Sequence, residues 1–258
     1  MSQIHPNAIV SSKAKIADDI IVGPFAIIHD DVEIGEGCEI GPHAVIYDYA
    51  RIGNRVKIFQ GASIANLPQD LKFDKGKTLL KIGDDTTVRE FATLHRGTHA
   101  TGETRIGKNC LLMAYVHVAH DCHVGDNCII ANAVQVAGHV EIEDSVIIGG
   151  LAAVHQFGKI GKHAMVGGGS MVNMDVPPFI MTSGYPARFM GLNVIGLRRR
   201  GFTNEEIDSI KETYRLYYNS GMNPADAKEK IQEKFGDQLH IKSILEFISK
   251  STRGLVRK

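Results

Sequence analysis

Aliphatic residues recur at every sixth position along most of the chain. From Ile4 the series Val10, Ile16, Val22, Ile28, Ile34, Ile40, Ile46, Ile52, Ile58 and Ile64 runs without a break. It resumes at Ile82, Val88 and Leu94, and again from Ile106 through Leu112, Val118, Val124, Ile130, Val136, Ile142, Ile148, Val154, Ile160, Val166 and Val172. Glycine often follows the aliphatic residue, as at Gly35, Gly83, Gly107 and Gly125, where a missing side chain is expected to help the backbone turn. Four positions after the aliphatic residue stands something small, such as Ala26, Ala44, Ala62, Ala92 or Ala152. A period of six suits neither a helix nor a plain alternating strand. It predicts short strands joined by tight corners, with one large and one small residue of each hexad turned inward.

Two stretches leave the rhythm, 65–81 ("ANLPQDLKFDKGKTLLK") and 95–105 ("HRGTHATGETR"), both polar and rich in turn residues. Loops thrown out from a rigid scaffold commonly carry binding groups. After "VPPFIMTSGYP" the pattern turns helical. Thr203 and Glu206 form a capping box before a run that ends at Gly221, Asn223 and Pro224 open a second helix, and "IKSILEFISKS" gives a third. The expected domains are a repeat domain over 1–186 and a small helical domain over 187–258 that covers the open end of the stack.

The period resembles that of the hexapeptide-repeat family. The resemblance implies an all-β solenoid, a left-handed parallel β-helix of triangular section with 18 residues per coil, followed here by the small α-helical C-terminal domain. The handedness comes from the resemblance alone, since the ordinary crossover rule favours the other hand. With 18 residues per coil, positions 18 apart stack about 4.8 Å from each other.

Composition then narrows the chemistry. The chain has 258 residues, 43% of them apolar, and a formal net charge of zero, which gives no general reason to expect nucleic acid or a membrane as partner. The charge is uneven, with 14 Lys and Arg against 9 Asp and Glu in residues 187–258, so an acidic partner near the C-terminus is expected. No apolar run approaches the roughly 18 residues of a membrane span, and no basic start with an apolar stretch opens the chain, so the expected location is cytoplasmic. Cys38, Cys110, Cys122 and Cys128 all fall on the small inward position and lack CxxC spacing, so they read as core packing rather than disulfides or metal ligands.

The strip "VHVAHDCHVG", Val116 to Gly125, concentrates histidine within this lattice. Coil stacking places His120 under Gly138 and Gln156 and Asp121 under His139, with His155 near by. An imidazole beside a carboxylate is the usual general base, and a free backbone N–H at Gly138 is a candidate oxyanion donor. His5, His29 and His163 read as ordinary surface residues.

The ordered motifs "NLPQDLKF", "LHRGT", "HVAHDC", "VAGHV", "IGGLAAVHQF", "DVPP" and "GLRRRGF" resemble those of the acyl-carrier-protein-dependent UDP-N-acetylglucosamine O-acyltransferases, which begin lipid A synthesis. That resemblance implies that His120 deprotonates the sugar 3-hydroxyl for attack on a (3R)-3-hydroxyacyl thioester carried by acyl carrier protein, with Asp121 orienting the base and the Gly138 amide as oxyanion donor. It implies that His139 and His155 support substrate or acyl group, and that Asp70, Lys72, His95, His117, Gln156, Asn193, Arg199 and Arg200 line the nucleotide-sugar site. Gly168 and Met171 match the acyl-chain pocket. No cofactor or metal and no acyl-enzyme are implied, the assembly is a homotrimer with its site between subunits, and no stable membrane insertion is expected. Ile195 stands where some relatives carry an acidic residue.

Four alternatives bear on the same residues. An acyltransferase acting on a 3-amino sugar nucleotide would share the motifs, whereas the later N-acyltransferases of the pathway carry an extra N-terminal domain for which a rhythm starting at Ile4 leaves no room. A zinc carbonic anhydrase on the same scaffold would use histidines such as His117, His120 and His139 as ligands. A non-catalytic scaffold would give His120 no role.

Overall fold

A computed structural model describes residues 3–258. The chain winds as a left-handed parallel β-helix whose mostly two-residue strands stack into three sheets of eleven, nine and eight strands. Each strand pairs with the one a full coil later, as Gln3 with Ile21, His117 with Gln135 and Glu141 with Lys159. The register lengthens where the two excursions are inserted, so that Lys57 pairs with Thr87, and Thr87 with Leu111.

The aliphatic series fills the prism. Ile28, Ile46, Ile64, Leu94, Val118, Val136 and Val154 are at most 2% exposed, and the small positions pack beside them, Cys38, Cys110, Cys122 and Cys128 included. Each thiol sits near a backbone carbonyl, for example Cys122 Sγ at 3.0 Å from the Ala137 oxygen. All four cysteines are free.

The glycine after the aliphatic residue has another purpose than turning. Its φ is not left-handed; the residue two further on is, as at Phe25 (φ 60°), His43 (φ 58°), Asp85 (φ 60°) and Asn127 (φ 58°). A Cβ on Gly83 would lie 2.7 Å from the Gly107 carbonyl carbon, and one on Gly41 2.8 Å from the Gln60 nitrogen. Close approach of successive coils, not backbone freedom, demands glycine at these positions.

Beyond the last coil the strand Ile180–Gly184 turns back through Ala187–Leu192 as an antiparallel hairpin on the first sheet. Four helices follow: α1 (Val194–Arg199), α2 (Asn204–Asn219), α3 (Pro224–Phe235) and α4 (Leu239–Lys250). The Thr203–Glu206 capping box and the Asn223 cap with Pro224 form as the sequence predicts, while the short α1 was not expected. Tyr214 on α2 donates to the Pro178 carbonyl at 2.6 Å, and Ser251 to Asp175 at 2.6 Å, so the helices close this end of the prism.

The three faces differ in chemistry. Outward positions of the third sheet are charged: Lys15, Glu33, Arg51, Lys81, Arg105, Glu141 and Lys159, several of them paired, as Lys159 with Glu141 at 2.7 Å. The first sheet turns mainly apolar residues outward, Ile21, Leu111, Ile129, Ile147 and Met165, around a Glu39–Lys57 pair and Thr87. The second turns Ile9, Ile27, Val45, Ala153 and Met171 outward on either side of Ser63, Thr93, His117 and Gln135. Along the edge between those two apolar sheets, Phe25, Phe91, Tyr115 and Leu151 are 52%, 49%, 59% and 75% exposed, with Phe91 stacked on Tyr115.

Candidate active site

Both excursions leave the prism at one edge. Residues 67–78 join Ser63–Asn66 to Leu79–Ile82 and residues 96–102 join Thr93–His95 to Glu103–Ile106, each passing from the second sheet to the third. The corner between His117–Val118 and His123–Val124 lies on that same edge and carries His120 and Asp121.

His120 Nδ1 lies 2.7 Å from Asp121 Oδ2. One coil on, a Cβ at Gly138 would sit 2.7 Å from the His120 Cε1 and 2.9 Å from Nε2, so the imidazole rests against bare backbone. The Gly138 N–H meets no acceptor among the described residues. His139 crosses His120 edge-on at 5.1 Å between ring centroids and stacks on Phe157 at 4.5 Å. Asp121 is buried, which alone would raise its carboxyl, but hydrogen bonds from Thr101, His120 and Thr98 outweigh burial and hold it down at about 2. An ionised acceptor beside Nδ1 fixes the proton there and leaves Nε2 as the basic atom.

Two more imidazoles flank the base. His117 Nδ1 is bonded to Thr93 Oγ1 at 2.7 Å, and His95 packs edge-on against His117. Burial, then the neighbouring imidazoles, pushes His95 down to about 4, and burial lowers His117 in the same direction. Both are therefore neutral near pH 7. Asp70 and Lys72 stand on the first excursion, where the Asp70 carboxylate accepts the Lys72 backbone N–H at 2.9 Å. His155 and Gln156 are exposed on the next coil, the His155 ring turned to the Gln156 carbonyl at 3.1 Å.

Other candidates lie elsewhere. Asn193, Arg199 and Arg200 belong to the edge between the third and first sheets: Asn193 caps α1 and donates to the His163 carbonyl at 3.0 Å, Arg200 donates to the Ser145 carbonyl at 3.0 Å, and Arg199 is exposed. Within one chain they do not meet His120. Ile195 is exposed on α1 beside them. Gly168 is exposed on the edge between the first and second sheets, and Met171 is outward on the second, in one row with His117, Gln135 and Ala153.

Two expectations need correction. His163 is no ordinary surface residue: it stacks on Phe179, meets Phe202 edge-on, and is held at about 4 by burial and then by the charges of Arg200 and Lys162. The trio His117, His120 and His139 does not assemble as a metal site, because His117 is engaged with Thr93. The ligating groups that do gather, within 4.8 Å, are His120, Asp121 and His139, and there the carboxylate already accepts hydrogen bonds from Thr98, Thr101 and His120.

Sequence reasoning missed Thr98, Thr101 and Arg96. They stand in or beside the "LHRGT" motif, but the excursion breaks the 18-residue register, so spacing could not bring the two threonines to Asp121 or Arg96 to the Gly76 and Thr78 carbonyls.

Residues 13–48 and 103–138 match the bacterial transferase hexapeptide family, and 175–256 match domain 2 of UDP N-acetylglucosamine O-acyltransferase. An acyl-[acyl-carrier-protein]–UDP-N-acetylglucosamine O-acyltransferase of Chlorobaculum parvum is 54% identical over 98% of this chain and 97% of its own length. A solved UDP-N-acetylglucosamine acyltransferase of Bacteroides fragilis superposes with a TM-score of 0.97 at 42% identity, covering 99% of this chain and 100% of its own. The LpxA of Acinetobacter baumannii gives 0.96 at 41%, covering 98% and 99%. With 54% identity over nearly the whole of both chains and one fold shared end to end, this chain belongs to the acyl-[acyl-carrier-protein]–UDP-N-acetylglucosamine O-acyltransferase family.

Proposed function

We propose that the enzyme transfers a (3R)-3-hydroxyacyl chain from acyl carrier protein to the 3-hydroxyl of UDP-N-acetylglucosamine, the first step of lipid A synthesis. The observation that carries this is the His120–Asp121 pair lying beneath Gly138 on the edge from which both excursions project. His120 Nε2 takes the hydroxyl proton as the oxygen attacks the thioester carbon. The Gly138 N–H stabilises the oxyanion, a contribution of about 3 kcal/mol for one such donor. The imidazolium then protonates the departing thiolate, so the base is restored with no acyl-enzyme and no metal or cofactor. Neutral His95 and His117, with Asp70, Lys72, His139, His155 and Gln156, bind the sugar nucleotide and acyl group. The acyl chain runs along the second sheet from His117 toward Met171, with Gly168 leaving room near its end.

The working unit is a homotrimer. The apolar first sheet of one copy packs on the apolar second sheet of the next, with the exposed aromatic edge at the threefold axis and the charged third sheet outside. This arrangement brings the His120 edge of one copy to the Asn193, Arg199 and Arg200 edge of its neighbour. Arg199 and Arg200 then serve the diphosphate, to which a guanidinium fork is suited. Arg198 and Arg253 attract the acidic carrier protein. Among the described residues no helix is long and apolar enough to cross a membrane, in keeping with a cytoplasmic workplace.

Purified protein is offered hydroxyacyl carriers of several lengths with UDP-N-acetylglucosamine or its 3-amino analogue. O-acylation of the 3-hydroxy sugar is expected, and His120→Ala lowers it at least about a hundredfold with the fold intact. Activity of that variant within a few-fold of wild type contradicts the base assignment.

A further inference from the structure

We propose that Thr98 and Thr101 are positioning residues for the transfer: their hydroxyls fill the Asp121 carboxylate so that one acceptor site is left, and the His120 Nδ1–H takes it. The proposal rests on His120 being the base. A carboxylate offers about four lone-pair sites. Here Oδ1 accepts the Thr98 backbone N–H at 2.9 Å and the Thr101 hydroxyl, while Oδ2 accepts the Thr98 hydroxyl at 2.7 Å and His120 Nδ1 at 2.7 Å. The set is complete with four donors.

The donors are themselves held. Thr98 Oγ1 accepts the Ala100 N–H at 3.2 Å, which aims the hydroxyl proton at the carboxylate. Thr101 Oγ1 accepts the Glu103 N–H at 3.4 Å and also lies 2.8 Å from the Glu103 carbonyl. Between that neutral oxygen and an ionised one, the proton goes to the carboxylate, the stronger acceptor. The loop that carries both threonines is anchored at its root. Arg96 is 5% exposed, donates to the Gly76 and Thr78 carbonyls at 3.2 and 3.4 Å, and lies 4.6 Å over the Tyr49 ring. Thr78 in turn donates to the Gly97 carbonyl at 2.6 Å. Asp121 is fixed from behind by its own N–H on Thr104 Oγ1 at 2.8 Å.

What the hydroxyls prevent is a competing partner. His139 Nε2 stands 3.6 Å from the same Oδ2, just beyond a hydrogen bond. With both threonine hydroxyls in place the carboxylate cannot turn to it. Without them Asp121 is shared between His120 and His139, the Nδ1–H orientation of His120 slackens, and its Nε2 is aimed at the acceptor for less of the time. The carboxylate charge is also less neutralised by donors, so the His120 imidazolium is better stabilised and the base needs a higher pH to be free. The other titratable groups facing this cluster are His117 and His95 on neighbouring strands; the Asp74–His99 pair sits on the exposed side of the two loops.

Thr98→Val, Thr98→Ser and Thr101→Ala are compared with wild type and His120→Ala in full pH–rate profiles and thermal melts. The expected result for Thr98→Val and Thr101→Ala is a kcat at least about tenfold lower, a KM for the sugar nucleotide within about twofold, and an acidic limb displaced upward by about half a pH unit or more, a slackened general base being worth a fraction of its full effect. Thr98→Ser, which keeps the hydroxyl, restores both kcat and limb. If Thr98→Val does not fold, Thr101→Ala at its exposed position and Thr98→Ser decide by the same readings. Loss of melting temperature with an unmoved acidic limb overturns the proposal, as does an unchanged kcat in variants that leave His120→Ala inactive. An active His120→Ala overturns the base assignment instead.

Discussion

At the scale of single residues, the environment of each imidazole decides its work. His120 has a carboxylate at 2.7 Å and keeps a side chain 15% exposed, whereas His95 and His163 are pressed among rings and held at about 4. A histidine in the unfolded chain protonates near 6.5, so between pH 6.5 and 4 the unfolded state binds protons that these two folded residues refuse. Stability therefore falls as the pH drops through that window. For His163 the share is at most about 3 kcal/mol. Denaturant unfolding at pH 7 and pH 4.5 is expected to show a smaller difference for His163→Asn than for wild type, and an equal difference removes His163 from this role. Asp121 acts in the opposite sense and lower down: held at about 2, it contributes stability above its ordinary value of 3.8 that is lost as the pH falls further toward 2. The identity of His120 as a candidate was legible from a histidine beside an aspartate in a lattice of known height. The wedge that holds His163 was not, because Phe179 and Phe202 come to it from outside the repeat.

At the scale of elements, the hexad rhythm foretold strands, corners and inward positions because a solenoid makes each contact with the next coil at fixed separation. The cysteines follow from it. Cys122 is fully buried and its thiol is pushed up to about 12 by burial, and the other three are buried as well. Under native conditions an aromatic disulfide reagent is expected to label none of the four within minutes, and all four after unfolding in denaturant; rapid labelling of the folded protein contradicts their inward packing. The glycine rule was legible as a pattern but not in its cause, since a Cβ clash with the neighbouring coil depends on how tightly the corners stack. The capping residues at Thr203 and Asn223 announced their helices locally, whereas α1 has a run of six residues too short to show a period.

At the scale of the whole molecule, the candidate site residues fall on two separate edges. His120 and both excursions occupy one edge of the prism, Asn193, Arg199 and Arg200 another, and the charged third sheet lies between them. In the trimer proposed above, a neighbour packed through the apolar faces would complete the site, and mixed assemblies test that directly. His120→Ala and Arg199→Ala chains, each inactive alone, are expected to regain about a quarter of wild-type activity when refolded together at equal amounts, because random closed assembly pairs an intact His120 edge with an intact Arg199 edge in that fraction of clefts. No recovery, with mixed assemblies present by mass measurement, rules out a shared cleft. The sequence by itself determined the coil, the inward ladder and the meeting of His120 with Asp121 and Gly138, since these depend only on a constant 18-residue repeat. Tertiary structure alone decided that Thr98 and Thr101 close on Asp121, that Asn193 serves a helix cap, and that the arginines stand on a different edge. Those contacts join segments whose separation in the chain follows no period, so only the folded path brings them together.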